Sequence, residues 1–509
     1  MNIKQAKQEI TNTLRAYLAK DALGNYRIPP VRQRPVLLMG PPGVGKTQIM
    51  EQIAAETGVG LVAYTITHHT RQSAVGLPFI EKRTYGGETV SITEYTMSEI
   101  LASVYGLMEK TGLKEGILFL DEINCVSETL APMMLQFLQC KTFGNQRLPE
   151  GWLIAAAGNP PEYNRSVREF DVVTLDRVKR IDVSEDFGVW KEYARRKGLH
   201  GAVVSYLDIK KENFYRVETA QDGLQFATAR GWEDLSELLC VYEELEIPAS
   251  REVIGQYIQL PRIARDFANY LELYNKYRKI YHVDEILQGT WRPVTVSELR
   301  AAPFDEKLSV MGLLLSRLSE AAREARRQDA LTEALHGALT DFRTLLETGG
   351  VPAEILESLV RRRRETLKRA KDAGQLDKEQ QNLVQLEVNA LEDYRKSLAQ
   401  ASVIASGEAM DAVRERFGGE VARRKALAEE AGRLMDNAFR FLETTFGQGQ
   451  ELVIFVTEIT AGYDTSWYVE TFGCDAYFRH NRELLFDDTR HRIREEIAAA
   501  KAAEEDTHE

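Results

Sequence analysis

Cysteine is scarce in this chain: 4 among 509 residues, at Cys125, Cys140, Cys240 and Cys474. No pair has metal-ligand spacing, which argues against a zinc module and for a reduced, cytoplasmic protein. No apolar run reaches the ~18 residues that a membrane helix needs, so no membrane span is expected. The stretch Met1 to Lys20 reads as a polar, charged helix without the apolar middle of a signal peptide. Positive charge is in deficit, with a net charge of −12. An acidic chain is a poor general binder of polyanions, which argues against nucleic acid or an anionic membrane as partner. No internal repeat of fixed period is present. What remains is ordinary globular composition, 44% hydrophobic and 28% charged, with length for about three domains.

From Arg34 to Val183, short apolar runs alternate with helical patterns. The runs are Pro35–Met39, Leu61–Thr67, Ile117–Leu120, Leu153–Ala157 and Arg180–Val183. Most lack polar alternation, so they read as strands buried on both faces: a parallel sheet flanked by helices. Residues 1–186 form this α/β domain. Residues 187–281 turn helical, broken at Pro248 and Pro261, and read as a small helical domain. Residues 282–303 look like a connector. Residues 304–450 are rich in Leu, Ala, Glu, Arg and Lys at helical spacing, with breaks at Gly349-Gly350-Val351-Pro352 and Asp372-Ala373-Gly374. That predicts a bundle or coiled coil of long helices. Residues 451–509 carry the β-branched run Val453–Thr457, then many aromatics, and a frayed tail from Ile497. They read as a small mixed or helical subdomain.

Gly40-Pro41-Pro42-Gly43-Val44-Gly45-Lys46-Thr47 fits G-x-x-x-x-G-K-[ST]. The glycines let the backbone curl so that several N–H groups face one anion. Lys46 adds a point charge for the β- and γ-phosphates, and Thr47 offers a hydroxyl to Mg²⁺. The helix that follows presents its positive end, with Gln48 in its first turn. Val36 to Met39 is a strand before the loop. Ile117-Leu118-Phe119-Leu120 ends in Asp121-Glu122, 75 residues after Lys46. Asp121 can orient the Mg²⁺ water shell and Glu122 can polarise an attacking water as a general base. Trp152 to Gly158 is a further buried run ending at Asn159, whose amide can hold the lytic water or a γ-phosphate at the sheet's carboxyl edge. The expected ligands are ATP and Mg²⁺.

These three motifs, in this order, resemble the AAA+ ATPases, and most of all the MoxR-like branch related to the dynein and midasin modules. Asp121-Glu122-Ile123-Asn124 resembles the branch's DEIN form. Lys141 to Pro149 resembles its hairpin before the sensor strand, and Gly158-Asn159-Pro160 its NP ending. Leu175-Asp176-Arg177-Val178 resembles L-x-R-F, with Val178 where Phe is usual. Ala229-Arg230-Gly231-Trp232 resembles the lid's sensor arginine, although Thr228-Ala229 departs from the usual SPR wording. The resemblance covers residues 1–280. It implies an Mg-dependent ATPase with a helical lid at 187–281, assembled as a homo-oligomer, a hexameric ring with ATP between neighbours. Arg177 would be the finger reaching a neighbour's γ-phosphate, with Arg180 its rival, and Arg230 would contact ATP from the lid. It further implies a chaperone-like role on a protein client, often one with a von Willebrand factor A domain. The alternatives are a nucleic-acid-stimulated motor and an ATP-gated scaffold with little turnover.

Other features read as structural. His68-His69 lack spaced partners for a metal and read as loop residues. Arg71 to Val90 reads as a hairpin or loop insert facing a ring pore, where it and Phe143 could touch a client. Arg361 to Arg364, with Lys368, Arg369 and Lys371, wrap around a helix and read as a solvated face. Tyr463, Trp467, Tyr468, Phe472, Tyr477 and Phe478 read as a small core or partner surface.

Overall fold

Four short apolar segments and one charged edge strand pair side by side, all parallel, in the order β2-β5-β8-β1-β9. They are β1 (Val36–Met39), β2 (Gly60–Thr65), β5 (Gly116–Asp121), β8 (Trp152–Gly158) and β9 (Lys179–Asp182). Between them lie two antiparallel hairpins, β3 (Pro78–Tyr85) with β4 (Glu88–Tyr95), and β6 (Thr142–Phe143) with β7 (Gln146–Arg147). The computed structural model describes residues 1–68, 72, 74, 76–86, 88–143, 146–163, 167, 170–220, 223–400 and 405–482. His69, Arg71, Gly87, Gly144, Asn145 and the tail from Ile497 lie outside the described residues. The chain divides into two units: residues 1–189 with 342–404, and residues 190–341 with 405–509.

In the first unit the period-2 alternation of each strand splits its side chains between two cores. Ile117 and Phe119 of β5, with Leu153, Ala155 and Ala157 of β8, face helices α1 (Ile3–Leu18) and α2 (Lys46–Thr57). Leu118, Leu120, Trp152, Ile154 and Ala156 face the other way. They meet α3 (Glu99–Thr111) and α4 (Ala131–Cys140) through Leu101, Val104, Met134 and Phe137. Each such Leu, Ile or Phe contributes ~1.5–3 kcal/mol by leaving water, so the central strands β1, β5 and β8, covered on both sides, are apolar runs. A short helix, α5 (Val172–Leu175), follows β8, capped by Asp171, whose carboxylate accepts from the Thr174 N–H at 2.7 Å. Thr174 holds the Asp171 pKa below the usual carboxylate range. The helices Pro352–Asp372 and Lys378–Gln400 also belong to this unit. The first packs on α3, where Asp372 pairs with Lys110 at 2.9 Å, and Gln375 Nε2 beyond it donates to Gly58 O at 2.8 Å. Arg363 and Arg364 of the basic run pair with Glu387 and Glu392.

The second unit is largely helical. An aromatic cluster of Tyr206, Trp232, Phe267 and Tyr270 joins the helices Gly201–Ile209, Ala229–Glu244 and Pro261–Ile280. One expectation is corrected here. The helical reading of 187–281 missed an antiparallel hairpin, Arg216–Ala220 with Gly223–Ala227. Residues 282–303, expected as a connector, are largely helical. They form helices Val283–Gln288 and Pro293–Ala301, pinned to the long helix Ser406–Phe446 by Asn437 Nδ2 on Leu287 O (2.7 Å) and Arg300 Nε on Thr445 O (2.9 Å). The run Val453–Thr457 lies inside the helix Gln450–Ala461, and among the described residues 451–482 contain no strand. The next helix, Tyr463–Phe472, places Asp464 in the interior, where Arg323 and Arg326 donate to it at 2.9 and 2.8 Å.

Candidate functional site

β1 stands between β8 and β9, while its sequence successor β2 lies at the far edge of the sheet. That reversal of direction opens a crevice at the carboxyl end of β1, the place where open α/β sheets hold ligands. The loop from Gly40 to Gly45 fills it. Gly40 must lack a side chain, because a Cβ there would stand 2.6 Å from the Val183 carbonyl oxygen. Gly43 and Gly45 take φ of 76° and 91°, in the left-handed region that favours glycine. Pro41, Pro42 and Val44 complete the turn. Among the described residues no side chain caps α2, which begins directly after Gly45. Its first N–H groups and positive dipole end therefore face the crevice, with Gln48 exposed beside them.

Lys46 is 8% exposed. Its ammonium donates to Gly40 O at 2.7 Å, Pro41 O at 2.8 Å and Asn159 Oδ1 at 2.8 Å. Thr47 Oγ1 donates to Asp121 Oδ2 at 2.8 Å. Strands β1, β5 and β8 thus deliver Lys46, Thr47, Asp121 and Asn159 to one place, as their parallel register dictates. Glu122 follows Asp121 with φ 56°, a left-handed backbone that costs a residue with a Cβ ~1–3 kcal/mol and recurs at functional sites. That twist turns Glu122 off the strand, and Thr67 Oγ1 donates to its Oε2 at 2.8 Å. Thr67 carried no role in the sequence reading; only its place just past β2, the neighbour of β5, could have singled it out.

The residues fit a magnesium triphosphate. The curled loop and bare helix end suit phosphate oxygens, the buried ammonium adds charge, and Thr47 with Asp121 offers two hard oxygens. Among the described residues no cluster of three or more His, Cys, Asp or Glu could hold a metal by itself.

Residues 36–175 match the family model "ATPase family associated with various cellular activities (AAA)". The chain carries an AAA-family ATPase domain. The match runs from β1 through α5 and takes in Gly40 to Thr47, Asp121, Glu122 and Asn159. No curated protein matches the chain. A candidate ATPase from Cytophaga hutchinsonii is similar in structure at 17% identity and TM-score 0.23, over 36% of this chain and 46% of that one. The FIGL-1 AAA domain in complex with ADP is similar at 16% identity and TM-score 0.29, over 53% of this chain and 80% of that one. The chain thus spans less than half the length of the first of these two structures. At such scores neither likeness bears on function.

Three expected residues lie past the AAA match. Arg177 is exposed and donates to the neutral amide of Gln139 on α4. Arg180 is tied instead to the carboxylate of Asp182 at 2.8 Å. Arg230 belongs to the second unit, exposed in the first turn of the helix Ala229–Glu244, whose cap Thr228 accepts from the Gly231 N–H at 3.2 Å.

Proposed function

We propose that this chain is a MoxR-like AAA+ ATPase that hydrolyses MgATP to remodel or mature a partner protein. The observation that carries the hydrolytic half is the convergence of Lys46, Thr47, Asp121 and Asn159 on one crevice, with Glu122 turned off the strand beside them. In this reading the N–H groups of the loop and of α2 bind the phosphates, with Lys46 on the β- and γ-oxygens. Thr47 and Asp121 hold Mg²⁺. Mg²⁺ held by these two residues would supply charge neutralisation for the phosphates. Glu122, once released from Thr67, takes the proton of the attacking water, and Asn159 orients that water or the γ-phosphate. Arg177 is the finger presented to a neighbouring subunit. Its neutral partner Gln139 favours it over Arg180, whose charge Asp182 already balances. Arg230 is the lid arginine toward nucleotide.

The ring, the cytoplasmic setting and a client with a von Willebrand factor A domain come from the family resemblance, and the acidic net charge supports a protein client over nucleic acid. The test is saturable binding of a fluorescent ATP analogue with magnesium, followed by phosphate release, in wild type and Glu122→Gln. The variant is expected to bind, fail to turn over, and retain a protein client on affinity capture. A folded wild-type chain that takes up no nucleotide ends the hydrolytic reading. A trapped assembly carrying only nucleic acid ends the protein-remodelling one.

A further inference from the structure

Asn124 lies two residues beyond Glu122 and is 2% exposed. The Ile123 N–H donates to Ala157 O at 2.9 Å, which prolongs the pairing of β5 with β8 beyond Asp121. Asn124 then turns its side chain onto the backbone of Asn159. Its Nδ2 donates to Asn159 O at 2.8 Å, and its Oδ1 accepts from the Asn159 N–H at 3.3 Å. A carboxamide is the side chain that offers one donor and one acceptor in this geometry, so Asn124 grips Asn159 as a neighbouring strand would. Gly158 leaves the room: a Cβ there would stand 2.6 Å from Asn124 Oδ1 and 2.9 Å from its Cγ. Past Asn159 come Pro160 and Pro161, which have no N–H to anchor the chain. The side-chain clamp therefore falls where backbone pairing runs out. The residue it holds is the one whose Oδ1 meets the Lys46 ammonium at 2.8 Å.

The geometry points to Asn124 as a positioning residue for hydrolysis: by clamping the Asn159 backbone it fixes the Asn159 amide against Lys46 and locks the carboxylate strand to the sensor strand. This rests on the ATPase reading above and assigns to Asn124 a task separate from binding. A catalytic group displaced by ~1 Å can lose ~100-fold in rate while ground-state binding survives.

The experiment compares wild type with Asn124→Ala, Asn124→Asp, Gly158→Ala and the double variant Asn124→Ala/Gly158→Ala. It measures the Kd of a fluorescent ATP analogue with magnesium, kcat and KM for phosphate release, and the thermal midpoint. Asn124→Ala and Gly158→Ala are each expected to lower kcat by ~10- to 100-fold, with Kd changed by less than about threefold. Asn124→Asp keeps the acceptor, loses the donor and preserves volume, so it carries the test if the alanine variant does not fold; its kcat should also fall. The double variant should be no worse than the poorer single, since both changes break one clamp. An Asn124→Asp kcat at the wild-type level, or a loss that only tracks nucleotide affinity and thermal midpoint, overturns the positioning role while leaving the ATPase reading intact. A wild-type chain that neither binds nor hydrolyses ATP removes that reading and this one together.

Discussion

At the scale of single residues, the phosphate loop and the carboxylate pair are legible because their chemistry needs particular side chains at fixed spacing. Glu122 and Thr67 show the limit: the first is visible in sequence, but the hydrogen bond that holds it is not, because it joins the ends of two strands 55 positions apart. Replacing Thr67 with Ala should free Glu122 and raise the basal rate of phosphate release by ~2- to 10-fold, a hydrogen bond to a charged group being worth up to ~1.5–3 kcal/mol. An unchanged basal rate would show that Glu122 is not restrained there. Lys141 is a second case. It caps α4 in the left-handed region, 8% exposed, with Gln33 Oε1 at 3.5 Å. Burial, helped by the charge of Arg147, lowers its pKa from 10.5 to about 8. Between about 8 and 10.5 the unfolded chain therefore holds a proton that the folded chain has released, so stability rises with pH across that window. Below it the folded state carries a penalised buried charge. Lys141→Met should therefore raise stability at neutral pH by ~1–3 kcal/mol and flatten the alkaline rise. Thermal melts from pH 7 to 10 check this; an undiminished slope in the variant assigns the effect to another group.

At the scale of elements, the five strands and the long helices follow from periodicity, and the errors follow from the same source. Val453–Thr457 is β-branched and looks like a strand, yet Leu452, Phe455, Val456 and Ile459 are the buried positions. Their spacing of three, four and seven is helical, and burial of that stripe outweighs local β-propensity. The hairpin at Arg216–Ala227 was hidden because most of its residues stay exposed or half-buried and lend no apolar run. Asp222-Gly223, a strong turn pair, was the signal available. Trp152 gives an element-scale prediction. Its ring lies over the first residue of β5, where a Cβ on Gly116 would stand 2.6 Å from two ring carbons and 2.8 Å from Gly60 O. Gly116→Ala should cost ~1–3 kcal/mol by overpacking, read as a lower thermal midpoint with altered tryptophan fluorescence. Trp152→Phe should recover part of it, since the contacting atoms belong to the lost ring. A melt identical to wild type would mean that β5 shifts freely, against the two-sided core described above.

At the scale of the whole molecule, composition indicated a helical second half but not how it divides. The helices Pro352–Asp372 and Lys378–Gln400 belong to the unit that carries the AAA domain, through pairs such as Lys110 with Asp372 that no local pattern announces. What the proposed function adds at this scale is dependence of each site on a neighbour. Arg177 is exposed and donates to a neutral amide, whereas Lys46, Thr47, Asp121 and Asn159 already touch within one chain. If Arg177 acts across subunits, two inactive variants should rescue each other. Glu122→Gln lacks the base but keeps the finger; Arg177→Ala lacks the finger but keeps the base. Mixed in equal amounts before assembly, a Glu122 site meets an Arg177 neighbour in about one interface in four, so up to about a quarter of wild-type turnover should return. Each parent alone should bind nucleotide and hydrolyse it at a rate lower by at least ~10²-fold. Recovery on mixing can come only from a site built by two chains, because no single chain in the mixture holds both groups. A mixture as inactive as its parents, with subunit exchange confirmed by differently labelled chains, would place the finger elsewhere or within the same chain, and the proposed link between assembly and hydrolysis would fall.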